Sequence, residues 1–198
     1  AMQRIAHMRR ELKHATAQLE EMNSLLHEQA NEDSLTKLYN RRYIDQKLET
    51  MIAWHGRHHM PMALILLDVD FFKPFNDNYG HIEGDRCLQA IANQLKATFC
   101  RSGEYVGRYG GEEFVILLNS TDAQTAEREA ERIQEALYFL DYPHAYSSVA
   151  SRVTVSQGVF ALQPTGKDKV ADLYATADRA LYTSKSLGRN TYTVVNAS

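Results

Sequence analysis

The apolar run Ala63-Leu64-Ile65-Leu66-Leu67, ending in Asp68-Val69-Asp70, constrains this chain more than any other stretch. Four or more consecutive apolar residues without polar alternation read as a strand buried on both faces. The carboxylates that end it then lie at a sheet edge, where oxygen ligands can hold a divalent cation. A second acidic strand end follows in Arg108-Tyr109-Gly110-Gly111-Glu112-Glu113-Phe114, which leads into Val115-Ile116-Leu117-Leu118. This segment reads as a β-hairpin turning at Gly110-Gly111, whose glycines allow positive φ and let a ligand approach the backbone. Alone, the hairpin reads first as an ordinary turn with a solvated acidic tip, and it is the second acidic strand end that shifts the reading. Asp68 beside Glu112 is the arrangement that two-metal phosphoryl transfer requires.

The 198 residues, 44% of them hydrophobic, suffice for one domain with an appendage. A net charge of −3 gives no general pull toward nucleic acid or an anionic membrane. Cys87 and Cys100, both assigned to a helix, read as reduced thiols and match no metal-ligand spacing. No apolar run approaches a membrane span and no signal-peptide pattern is present, so the chain reads as soluble and cytoplasmic. Ala1-Met2 reads as a cloning remnant, and the natural protein is expected to continue upstream.

Residues 1–30 read as one long helix. Ile5, Leu12, Leu19 and Leu26 recur at heptad spacing, with Met8, Ala15, Met22 and Gln29 completing an a/d stripe. A coiled-coil stalk is the favoured reading, and an amphipathic helix packed on its own domain the alternative. His7, His14 and His27 read as solvated flank residues. In the domain expected over residues 31–198, Arg41–Trp54 reads as a helix burying Ile44, Leu48, Met51 and Ile52. His55, His58 and His59 then fall in a solvated loop. Pro74 and Gly80 bracket a structured loop. Helices are expected over Cys87–Phe99, Ala123–Leu140 and Val170–Leu187, with strands over Arg152–Phe160 and Thr191–Val195. A sheet with helices packed against it follows.

Arg108-Tyr109-Gly110-Gly111-Glu112-Glu113-Phe114 resembles the signature of the GGDEF family, the diguanylate cyclases. Further motifs occur in that family's order: Asp33-Ser34-Leu35-Thr36, Asn40-Arg41-Arg42, Asp68-Val69-Asp70-Phe71-Phe72-Lys73, Asn76-Asp77, Gly80-His81, Gly84-Asp85, Ala177-Asp178, Ala180-Leu181-Tyr182, Lys185 and Gly188-Arg189-Asn190. The resemblance spans about residues 31 to 198. It implies an α/β (α+β), palm-like, ferredoxin-related nucleotide-cyclase fold, with a mostly antiparallel central sheet flanked by helices and preceded by a long N-terminal helix.

The reaction it implies condenses two GTP molecules into cyclic di-GMP and two pyrophosphates. The resemblance gives Asp68, Glu112 and the Val69 carbonyl as ligands of two Mg²⁺ or Mn²⁺ ions. Glu112 is also the candidate proton acceptor, and Glu113 supports the metal or the 3′-hydroxyl, or stands behind them. Lys73 corresponds to a transition-state-stabilising lysine, and Lys185 with Arg189 to a phosphate-binding pair. Asn76 and Asp85 correspond to guanine readers, a carboxylate accepting from guanine N1–H and its 2-amino group. His81 corresponds to a substrate contact, with a structural role as the alternative. Gly110 and Gly111 line the approach to the substrate. Asp70 and Asp77 are expected to be structural. Asp33–Thr36 corresponds to the joint between a signalling helix and the catalytic domain, where Lys37 replaces a common glycine.

Arg101-Ser102-Gly103-Glu104 departs from the family's Arg-x-x-Asp product-inhibition site by one methylene, which puts tight feedback in doubt. Two protomers are expected to meet face to face, tethered by the stalks, because each domain holds one GTP. An upstream sensor is expected outside this chain, with a possible membrane anchor there. Two other readings stand: a domain that binds the nucleotide without turnover, and a cyclase using adenine. Intact Lys73, Glu112, Glu113 and Asp85 argue against the first, and Asp85 against the second.

Overall fold

A computed structural model describes the backbone of residues 2–197 and the side chains of all but 2, 3 and 27–29 of these. The cloning-remnant reading of Ala1-Met2 and the side-chain assignments of His27 and Gln29 therefore lie outside the described residues. The chain forms two compact units, Ala1–Glu32 and Asp33–Ser198. In the first, α1 (Met2–Asn31) runs unbroken, as a segment without Pro or Gly should. Its stripe is solvent-exposed, with Leu12 69% and Leu19 68% accessible. No helix among the described residues is long and apolar enough to cross a membrane.

The second unit runs α2 (Arg41–His58), β1 (Met62–Val69), α3 (Phe72–Tyr79), α4 (His81–Thr98), β2 (Glu104–Gly110), β3 (Glu113–Asn119), α5 (Ala123–Leu140), β4 (Val155–Leu162), α6 (Val170–Ser186) and β5 (Tyr192–Ala197). The sheet order is β2-β3-β1-β4-β5, antiparallel throughout except for the β4–β5 pair. β1 lies at the centre, buried along its whole length, as its unbroken apolar run requires. Its alternate residues feed two cores. Ala63, Ile65, Leu67 and Val69 join one with α4 and α5, while Met62, Leu64 and Leu66 join the other with α2 and α6. α6 rides close on β4 at Gly158, where a Cβ would come within 2.0 Å of the Ala177 carbonyl oxygen. That contact fixes the height of the helix carrying Lys185.

Three local expectations change. Residues 72–79 form helix α3 rather than a loop. Pro74 sits in its first turn, where backbone N–H groups have no intrahelical acceptor, so the missing donor costs nothing. α2 continues past Trp54, so His55 is buried in its last turn and not in a solvated loop. Its Nδ1 lies 2.7 Å from the Met51 carbonyl and its Nε2 accepts the Ser120 N–H. The hairpin turn is Gly111-Glu112, because Gly110 still pairs with Glu113, after a register shift at Arg108/Gly110.

Candidate active site

β1 and β3 bring the two acidic ends together by register. Asp68 is the direct cross-strand partner of Glu113, and the Val69 N–H donates to the Glu112 carbonyl at 3.3 Å. By strand alternation Asp68 and Glu113 share the sheet face covered by α6. Lys185 of that helix places its Nζ 3.2 Å from Asp68 Oδ1. Burial pushes the Asp68 carboxyl up to about 6, against the pull of Lys185 and helped by the charges of Glu112 and Asp70. Glu113 is raised too, first by burial and then by Asp68.

Lys185 only partly offsets carboxylates crowded and desolvated in this way, and hard oxygen donors suit a divalent cation. Among the described residues, no group of three or more His, Cys, Asp or Glu forms a closed metal cage. Asp68 and Glu113, paired across β1 and β3, are oxygen donors that suit a cation reached through one or two carboxylates and completed by phosphate oxygens. The residues therefore fit the group.

Gly111, with φ +52, adopts a conformation that other residues reach only with strain. A Cβ at Gly110 or Gly111 would meet nothing within 4 Å, so the space over the turn is open. Arg108 clamps this turn from below, its Nε and Nη2 donating to the Gly111 carbonyl at 2.9 and 2.8 Å.

The helices α3 and α4 carry the remaining candidates. Asn76 has a buried Oδ1 without a hydrogen-bond partner. That oxygen lies against Gly84, where a Cβ would come within 1.8 Å, next in sequence to exposed Asp85. An unsatisfied buried acceptor costs free energy and suits a ligand donor. His81 opens α4 and is exposed. Lys73 points to solvent and pairs with Asp77 at 3.0 Å rather than with the carboxylates. Arg189 follows α6 in a left-handed turn, its guanidinium 4.6 Å over the Phe71 ring. Away from these residues, Glu104 folds back so that its carboxylate accepts the Arg101 backbone N–H at 2.9 Å.

Three buried polar residues near these elements, Thr154, Ser156 and His144, are not marked by any motif. Thr154 and Ser156 belong to a stretch that alternates like a half-solvated strand, yet both are buried and bond Asp70. Their signal is two hydroxyls spaced two apart, opposite a buried acid. His144 is 1% exposed, and its Nε2 lies 3.0 Å from the Phe71 carbonyl. Nothing in the sequence around it marks that contact.

The family profile described as "Diguanylate cyclase, GGDEF domain" matches residues 30–191. The diguanylate cyclase VdcA of Vibrio cholerae is 38% identical over 176 residues, 88% of this chain and 50% of that protein. The chain spans 27% to 51% of the length of such curated relatives. The solved coiled coil and GGDEF domain of DgcB from Caulobacter crescentus superposes with a TM-score of 0.80 at 27% identity, covering 95% of this chain and 99% of that one. The active GGEEF domain of a diguanylate cyclase from Vibrio cholerae gives a TM-score of 0.69 at 32% identity, covering 81% of this chain and 99% of that one. Enzymes of this family depend on a metal. The helix-flanked, mostly antiparallel sheet, the ordered motifs and these matches together establish that the chain belongs to the GGDEF family of diguanylate cyclases.

Proposed function

We propose that residues 31–198 form a diguanylate cyclase domain that joins two GTP molecules into cyclic di-GMP with release of two pyrophosphates. The observation that carries this reading is the Asp68–Glu113 cross-strand pair, with Val69 N–H bonded to the Glu112 carbonyl and Lys185 against Asp68. Each 3′-hydroxyl oxygen bonds to the α-phosphorus of the other nucleotide, and the bond from that phosphorus to the bridging oxygen of the pyrophosphate breaks. Glu112 accepts the hydroxyl proton.

Asp68, the Val69 carbonyl and Glu112 are the groups that would hold two Mg²⁺ or Mn²⁺ ions, with Glu113 in support. Such ions, when bound, neutralise the triphosphate and lower the pKa of a coordinated hydroxyl. Lys185 and Arg189 bind phosphate oxygens, and Lys73 swings from Asp77 to the developing charge. Asn76 and Asp85 read the guanine edge, which the unsatisfied Asn76 Oδ1 suits. His81 contacts the substrate from the start of α4.

One such domain holds one nucleotide, so the working unit is a homodimer whose catalytic faces meet. Residues 1–30 act as its coiled-coil stalk, an apolar stripe on α1 being left uncovered. Tethering raises the effective concentration of the second half-site, and an upstream sensor would act through that pairing. The site is one for cytoplasmic GTP.

The test is incubation with GTP or ATP and divalent metal, followed by chromatography of the nucleotides. Cyclic di-GMP from GTP and no dinucleotide from ATP is the expected result. A cyclic product from ATP at a comparable rate would overturn the guanine assignment.

A further inference from the structure

Asp70, directly after β1, is 2% exposed, and its carboxylate is held by neutral donors. Oδ2 receives the Thr154 hydroxyl at 2.7 Å and the Asn190 N–H at 3.0 Å, while Oδ1 receives the Ser156 hydroxyl at 2.6 Å. Its own N–H donates to the Thr154 carbonyl at 2.9 Å. A carboxylate buried this way gives up much of its hydration, so what it fixes in place matters.

What it fixes is the chain leaving α6. Gly188, Arg189 and Asn190 adopt φ of +111, +66 and +47 in succession. Two consecutive non-glycine residues in the left-handed region hold only where the surroundings over-determine them. The Asp70 bond to the Asn190 N–H supplies part of that restraint, and the Arg189 N–H donates to the Ser184 carbonyl. The side chain is held as well. The Arg189 guanidinium stands over the ring of Phe71, the residue next to Asp70. Phe71 is itself left-handed, with φ +53, and its carbonyl meets the His144 ring nitrogen and the Phe75 N–H.

We propose that Asp70 and Phe71 form a positioning lock for Arg189, Asp70 fixing its backbone turn and Phe71 aiming its guanidinium. This rests on reading Arg189 as a phosphate contact. A free arginine loses rotamer entropy each time it grips a phosphate; one already held over a ring loses less. The lock also couples the end of β1, which carries Asp68, to the end of α6, which carries Lys185. Asp70 and Phe71 are positioning residues and touch no reacting atom.

The test is calorimetric binding of 3′-deoxy-GTP, which lacks the attacking hydroxyl and is not turned over, with Mg²⁺ and the full chain. Arg189→Ala should weaken binding about tenfold, the scale of one charge-assisted hydrogen bond. Asp70→Ala and Phe71→Leu should each weaken it several-fold, and neither should add to the loss in an Arg189→Ala background. Asp70→Asn should stay near wild type. Its amide oxygen can receive the Asn190 N–H while its NH₂ donates to Ser156, whose hydroxyl can turn to accept. Phe71→Leu leaves the Asp70 hydrogen bonds intact and decides the matter if Asp70→Ala does not fold. Losses that multiply with Arg189→Ala, or lock variants that bind like wild type, would overturn the lock while leaving Arg189 a phosphate contact. No effect of Arg189→Ala would overturn both.

Discussion

Arg108 ties Asp33 to the β2–β3 hairpin: its Nη1 lies 3.2 Å from Asp33 Oδ1 while its other nitrogens grip the Gly111 carbonyl. Asp33 also takes the Thr36 N–H and hydroxyl, closing the turn that opens the second unit. One guanidinium thus connects the first residues of that unit with the turn that presents Glu112. The pair is largely shielded from solvent, so removing one partner strands the other.

Arg108→Ala should therefore lower stability by about 1–3 kcal/mol and reduce cyclase turnover about tenfold or more, because the Gly111-Glu112 turn loses its clamp. Thermal melts and steady-state kinetics read the two effects. Burial pushes the Asp33 carboxyl up, but hydrogen bonds from Thr36 and the charge of Arg108 bring it below its usual value. The stability that Asp33 contributes is thus present at neutral pH and lost as pH falls below 3.8. Asp33→Asn should flatten that acid limb.

Gly84→Ala should drive the Asn76 amide out of position, because the new methyl would occupy the space of Oδ1. We expect the KM for GTP to rise about tenfold, the scale of one lost hydrogen bond to a polar base edge, with a smaller change in kcat. Discrimination against ATP should fall with it. Unchanged KM and unchanged nucleotide preference would remove Asn76 from the guanine site.

Asp68 should cost the nucleotide-free fold stability. Its carboxyl titrates at about 6 in the folded chain against 3.8 ordinarily, so the folded state holds the proton more tightly. Stability then falls as pH rises from about 4 to 6, by at most on the order of 3 kcal/mol, and stays lowered above that. Asp68→Asn should melt higher than wild type at pH 8, match it near pH 4, and abolish cyclase activity. A variant less stable than wild type at pH 8 would show that the Lys185 pair outweighs the burial penalty.

Much of the second unit was legible because its signals are local and strong. The apolar run of β1 could only be a central strand, and α5 appeared with the bounds expected, capped by Asp122. The hairpin was legible, but its turn was displaced by one residue because the irregularity at Tyr109 has no sequence mark. Helix α3 hid behind Pro74, which disfavours a helix interior but not a first turn. The strand around Gly158 was legible, but not which of its polar residues are buried: Thr154 and Ser156 bond Asp70, and Gln157 donates its Nε2 to the Ala130 carbonyl. Polar groups partnered across long sequence separations leave no periodic trace.

Glu104 bears on feedback. One oxygen of its carboxylate, Oε2, accepts the Arg101 backbone N–H, a bond that a ligand pairing with Glu104 would compete with. Added cyclic di-GMP should inhibit this chain weakly, and Glu104→Ala should change basal turnover by less than about twofold, as expected for an exposed turn residue. Strong inhibition that vanishes in Glu104→Ala would show that the bond opens for product.

The most direct measurement is the nucleotide product of the purified chain with GTP and Mg²⁺, wild type beside Glu112→Gln, each also as an enforced dimer. Cyclic di-GMP and pyrophosphate from wild type, rising on enforced pairing and absent from Glu112→Gln, is the expected result. GTP that binds the enforced wild-type dimer but yields no cyclic di-GMP would contradict the cyclase assignment.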